Sequence, residues 1–65
     1  MIYIRLEPEG RTMHFPRLGT VLQLLRKLGL GNNAALIIRD GELLTPDRRL
    51  HAGDEVVVRT VTSRG

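Results

Sequence analysis

No cysteine occurs anywhere in the sequence. That excludes a disulfide staple, a thiolate metal site and a cysteine nucleophile within this chain. Aromatic residues are almost as scarce, with only Tyr3 and Phe15. No apolar run approaches the ~18–20 residues of a membrane-spanning helix. The opening segment "MIYIRLEPEG" has neither a basic stretch nor a small-residue cleavage site, so it does not read as a signal peptide. The expectation is a cytoplasmic protein without a membrane. Lysine is nearly absent too: Lys27 is the one exception among ten basic residues, the other nine being arginine.

What is present fits one small domain. A chain of 65 residues has no room for a second core and buries only roughly 60% of its unfolded surface. Apolar residues make up 42%, mostly Leu, Val and Ile, which is a globular composition. The net charge is +3. A basic balance suits nucleic acid or an acidic partner surface, but the arginines are scattered along the sequence, and no basic stripe is visible.

The segment "IYIRLEPEGRTMHF" predicts a β-hairpin. Ile2, Ile4 and Leu6 alternate with Tyr3, Arg5 and Glu7, the period of a half-buried strand. "PEG" supplies the turn, and Met13 and Phe15 alternate with Thr12 and His14 on the return, which Pro16 ends. A helix is predicted from Thr20 to Leu28. Thr20 and Gln23 form a capping box; Val21, Leu24, Leu25 and Leu28 form one apolar stripe. Arg26 and Lys27 lie in the last turn, Gly29 takes the left-handed position beyond it, and Leu30 suits a Schellman contact.

"AALIIRDGELL" predicts a second hairpin around Asp40-Gly41, a pair suited to a type I′ turn. Leu36, Ile37 and Ile38 are apolar on both faces, which suits a central or partly covered strand. In the connector that follows, Leu50 plugs the core. "EVVVRTV" is the last strand, with Val56 and Val58 inward and Val57, Arg59 and Val61 outward. The order β-β-α-β-β-loop-β predicts an α+β fold, one helix over one sheet, with the first and last strands parallel neighbours. The expected core is Ile2, Ile4, Met13, Phe15, Val21, Leu24, Leu25, Leu28, Leu50, Val56 and Val58.

The chemistry-bearing residues do not assemble into a catalytic set. His14 and His51 have no partner at metal-ligand spacing and read as surface residues. Asp40, Asp47 and Asp54 sit at turns, where aspartate bonds the local backbone. The glycines around the helix have neither dinucleotide nor Walker spacing. No catalytic residue, metal site or bound cofactor is expected. One surface is expected to bind a partner: Tyr3 and Arg5 on the first strand, with Val57, Arg59 and Val61 on the last, form an exposed apolar patch rimmed by arginine. "TSRG" offers no apolar side chain to pack and is expected to be mobile.

Three segments together resemble a known family. They are "TVLQLLRKLGL" (Thr20–Leu30), "IIRDGELL" (Ile37–Leu44) and "LHAGDEVVVRTVTSRG" (Leu50–Gly65). Their order and spacing are similar to the ubiquitin-like β-grasp sulfur carriers (ThiS/MoaD-like) of thiamine, molybdopterin and tRNA-thiolation pathways. The resemblance implies a β-grasp fold, a mixed four- to five-stranded sheet on one main helix, with a domain over residues 1–61 and a flexible tail over 62–65. It implies a carrier, not an enzyme. By the resemblance, an ATP-dependent activating enzyme would adenylate the terminal carboxylate of Gly65, and sulfur from a rhodanese- or cysteine-desulfurase-type donor would convert it to a thiocarboxylate. Ser63 and Arg64 would thread the partner's channel, and an acceptor synthase or thiolase would take the sulfur. ATP is then the partner's cofactor, and the carrier binds none. The family ends in Gly-Gly; here Gly65 stands for the last glycine and Arg64 for the one before it. Two other readings remain: an RNA-associated β-grasp module, which the lack of stacking aromatics argues against, and an interaction domain with an inert tail.

Overall fold

The computed structural model describes residues 1–31 and 34–61. Asn32, Asn33 and residues 62–65 lie outside the described part, and with them the expectations for Ser63, Arg64, Gly65 and a mobile tail.

Alternation of apolar and polar residues produces the first hairpin. β1 (Ile2–Glu7) pairs antiparallel with β2 (Arg11–Phe15), and Ile4 faces Met13 across the ladder. Gly10 closes the turn at φ 78°, donating its amide to the Leu6 carbonyl at 2.7 Å.

Helix α1 (Val21–Leu28) forms where both ends are satisfied. Thr20 is the N-cap, its backbone extended, and its hydroxyl oxygen accepts from the Gln23 amide. The Gln23 carboxamide returns to the Thr20 amide at 3.4 Å, and more closely to the Gly19 amide at 2.7 Å. The next two orphan donors find partners in the loop at 46–49: Val21 N–H donates to the Arg48 carbonyl and Leu22 N–H to the Pro46 carbonyl, both at 3.0 Å. At the other end Gly29 is left-handed (φ 73°), and the Leu30 amide donates to the Leu25 carbonyl at 2.9 Å, the longer bond of a Schellman motif.

The second hairpin joins β3 (Ala35–Arg39) to β4 (Glu42–Leu44). Asp40 and Gly41 both have positive φ, 54° and 76°, as a type I′ turn requires. β5 (Glu55–Thr60) completes a five-stranded mixed sheet in the order β2-β1-β5-β3-β4. β5 runs parallel to β1 and antiparallel to β3. The expected parallel pairing of the terminal strands is therefore present, and β5 is the central strand.

The registers set apolar rows across one face. Leu6 pairs with Val58, Val58 with Ile37 and Ile37 with Leu44. Val21, Leu24 and Leu25 of α1 are buried with these residues, and Leu50 seals the same core, as expected. The expected core needs correction at its margin. Met13, Phe15 and Leu28 are only half-buried against the core, whereas Leu6, Leu18, Ala35, Ile37 and Leu44 are within it. The reason is the strand order: β2 is an edge strand with one neighbour, so its side chains lack cover on the outer side. β3 is internal, but one of its apolar faces is open: Ile37 is buried while Leu36 is 41% exposed. Among the described residues, no helix is long and apolar enough to cross a membrane.

Candidate functional site

The sheet has one covered face and one open face, and the expected partner residues lie on the open one. Tyr3, Arg5 and Arg59 are exposed, Val57 is half-buried, and Val61, one residue past β5, is exposed. The parallel register brings them side by side: Tyr3 opposite Glu55, Arg5 opposite Val57, and Glu7 opposite Arg59. The Val61 amide donates to the Ala34 carbonyl at 2.9 Å, holding the end of β5 against the start of β3.

The open face also carries residues that the sequence reading did not assign. Val57 pairs with Ile38 and Ile38 with Leu43; Arg59 pairs with Leu36. Leu36, Ile38 and Leu43 thus extend the apolar patch from the centre of the sheet to its β4 edge. Leu43 is 58% exposed. The signal for them was available. A two-residue Asp-Gly loop dictates the register of the hairpin, and if Ile37 and Leu44 point inward then Ile38 and Leu43 must point outward together.

The electrostatics of the patch also differ from expectation. Arg5 and Arg59 were expected as a cationic rim. Both meet one carboxylate: Arg5 Nε lies 3.5 Å from Glu7 Oε2, and Arg59 Nη2 donates to Glu7 Oε1 at 3.1 Å. The parallel register puts Glu7 beside Arg59, which no sequence spacing reveals. The pairs are solvent-exposed and worth roughly 0–1 kcal/mol each. The two guanidinium groups converge on the one Glu7 carboxylate. Beside this rim, His14 stacks obliquely on Tyr3, ring centroids 6.4 Å apart.

A second polar cluster lies at the opposite end of the strands. Arg39, at the end of β3, donates to Asp54 Oδ2 at 2.8 Å and to the Arg49 carbonyl at 3.0 Å. The same carboxylate oxygen accepts the His51 amide at 2.8 Å. The Asp54 carbonyl in turn accepts from Tyr3 N–H, and the Gly53 amide donates to the Met1 carbonyl. This cluster ties β3, the loop at 49–54 and the start of β1 together. Partial burial of the Asp54 carboxyl pushes its pKa up, but the His51 amide bond and the bond and charge of Arg39 outweigh that. The carboxyl is held below its ordinary value. His51 is exposed in its loop and His14 exposed on β2, as expected. Among the described residues, no three His, Cys, Asp or Glu side chains come together as a metal site.

The chemistry open to such a surface is recognition. It offers apolar side chains in register and guanidinium groups paired to Glu7. In comparisons with known proteins, no family model and no curated protein matches the chain.

Proposed function

We infer that this chain is a ubiquitin-like β-grasp sulfur carrier whose C-terminal Gly65 carboxylate is the working group. The observation that carries the reading is the strand order. A sheet ordered β2-β1-β5-β3-β4, with parallel central β1 and β5 on one helix, is the arrangement the β-grasp reading requires. The three resembling segments fall on the helix with its caps, the β3–β4 hairpin, and the loop leading into β5. Fold alone does not assign function. The finer reading rests on the sequence resemblance, which extends through Gly65, and on the open face that carries Val61.

The chemistry follows from the carboxylate. A free carboxylate is a poor acyl donor. Attack on the α-phosphate of ATP, in a partner's active site, releases pyrophosphate and leaves an acyl adenylate. The terminal sulfur of a persulfide on a rhodanese- or cysteine-desulfurase-type donor then displaces AMP to give an acyl disulfide. A second thiol of the partner or donor attacks that S–S bond, the two thiols end as a disulfide, and the carrier leaves as a thiocarboxylate for an acceptor synthase or thiolase. Glycine suits the terminal position because it adds no side chain to the channel it must enter. On this reading the domain itself catalyses nothing. The open face with Tyr3, Arg5, Val57, Arg59 and Val61, widened by Leu36, Ile38 and Leu43, docks on the activating enzyme.

The test is mass spectrometry of the intact chain after incubation with ATP, a sulfur donor and the cognate activating enzyme. One oxygen should be replaced by sulfur at Gly65. Deleting Gly65, or adding a residue after it, should abolish the change and leave the melting curve in place. Arg64→Gly should preserve or improve conversion unless the partner's channel is acidic and matched to arginine. An intact chain that stays unmodified with every activating enzyme of its own genome removes the carrier reading. An interaction domain with an inert tail then takes its place.

A further inference from the structure

Charge is segregated in this molecule in a way that a plain count conceals. All seven acidic residues lie at Glu7, Glu9 or from Asp40 onward, so residues 10–39 contain none. That stretch builds β2, α1 and the segments joining them, and it carries Arg11, Arg17, Arg26, Lys27 and Arg39. Arg39 turns to Asp54. The other four take part in no ion pair among the described residues, whereas Arg5, Arg48 and Arg59 each meet a carboxylate.

The fold gathers these four cations on one side. One groove runs between β2 and the last turn of α1, lined by Arg11, Met13, Phe15, Lys27, Leu28 and Leu30, with Glu9 as the acidic group in its lining. A second, lined by Arg17, Gln23, Arg26 and Lys27, adjoins it through Lys27. Met13, Phe15, Leu28 and Leu30 are the half-buried apolar residues around the core. Arg11 opens β2 and Arg17 follows it, so cations flank an apolar middle along the strand. β2 is also a sheet edge, with backbone donors and acceptors on its outer side not taken up by a strand.

We propose that this β2–α1 groove receives an extended peptide segment of a partner protein, apolar at its centre and acidic at its flanks, which adds to β2 as a further strand. Main-chain bonds to the edge would supply affinity, the apolar centre would cover Phe15, Met13 and Leu28, and the acidic flanks would meet the four cations. A nucleic-acid strand fits the cations but not the site. Single-strand binding draws on exposed aromatic platforms, and the one aromatic ring in the groove, Phe15, is half-buried on the core. The proposal is independent of Gly65 and of the open face.

The experiment uses the whole chain, labelled with nitrogen-15, and a short fluorescein-labelled peptide with a Val-Ile-Val centre and glutamates on both sides. Amide shifts should concentrate on Arg11–Phe15 and Leu28–Leu30. Anisotropy titration should show Kd rising about tenfold or more in the double variant Arg11→Glu, Lys27→Glu. Both side chains are exposed, so that variant should keep its melting temperature. A peptide with lysine in place of glutamate should not bind. Shifts confined to Val57, Ile38 and Leu43, no shifts at all, or an unchanged Kd in the double variant would overturn the proposal. So would an oligo-uridylate that binds this surface more tightly than the peptide.

Discussion

Alternate residues along β5 and just past its end occupy two different environments. Val56 and Val58 are 1% and 0% exposed beneath the helix, while Val57 is half-buried and Val61 is 50% exposed on the open face. The residue type is the same. The register decides whether a valine contributes to stability by leaving water or remains available to a partner. The sheet is thus a partition: one face holds the fold together, and the other stays open to solvent.

The covered face should respond most to truncation. Leu25→Ala removes a buried side chain at the centre of the helix stripe and should cost about 2–5 kcal/mol in a denaturant melt. For 65 residues, total stability is of the order of 3–10 kcal/mol, so this variant should sit near its unfolding threshold at ambient temperature. A near-neutral result would mean that α1 presents a different face to the sheet.

The Asp54 cluster, at the end of the strands opposite Glu7, should give an intermediate effect. Asp54→Asn removes the ion pair with Arg39 and should cost about 1–3 kcal/mol, as expected for hydrogen bonds to charged groups. It also makes a pH prediction. The folded-state pKa of Asp54 is lowered, so the folded chain binds fewer protons than the unfolded one in the acid range. The contribution is complete above the unfolded carboxyl value of about 3.9 and is lost as pH falls through the lower folded value. Urea melts between about pH 6 and pH 2.5 should show a smaller acid loss in Asp54→Asn than in the parent chain. An equal loss in both would assign the acid sensitivity to other carboxylates.

The open face should give the smallest stability changes. Val57→Asp with Val61→Asp should cost no more than about 1 kcal/mol per position, the span of strand propensity on a face that no helix covers. The same double variant should lose capture of the activating enzyme in a pull-down if that enzyme docks here. Leu43→Ser should stay within about 0.5 kcal/mol of the parent. If Leu43→Ser were strongly destabilising, the open face would be part of the core rather than a recognition surface.

Much of this is legible in the sequence. The helix carried its own start and stop in Thr20, Gln23, Gly29 and Leu30, and all of them act as expected. Asp40-Gly41 specified a hairpin, and both residues have the positive φ that it needs. The outward set Tyr3, Arg5, Val57, Arg59 and Val61 followed from alternation. The margin of the core did not, because Phe15 and Met13 look like core residues in any period-2 reading. Only their place on an edge strand leaves them half-buried. Leu36, Ile38 and Leu43 were missed for the converse reason. An apolar run reads as buried until the register divides it between two faces.

What the sequence determined by itself is local: caps, turns, periodicity and the absence of acidic residues from 10 to 39. These depend on neighbours within a few positions, where backbone geometry and side-chain spacing leave few choices. What only the tertiary structure decided is pairing across distance. Glu7 receives both Arg5 and Arg59, the carbonyls of Pro46 and Arg48 cap α1, Arg39 reaches Asp54, and four scattered cations line two adjoining grooves. Each of these joins residues brought together by strand order and register, and those are set by burying one continuous apolar face rather than by any local preference.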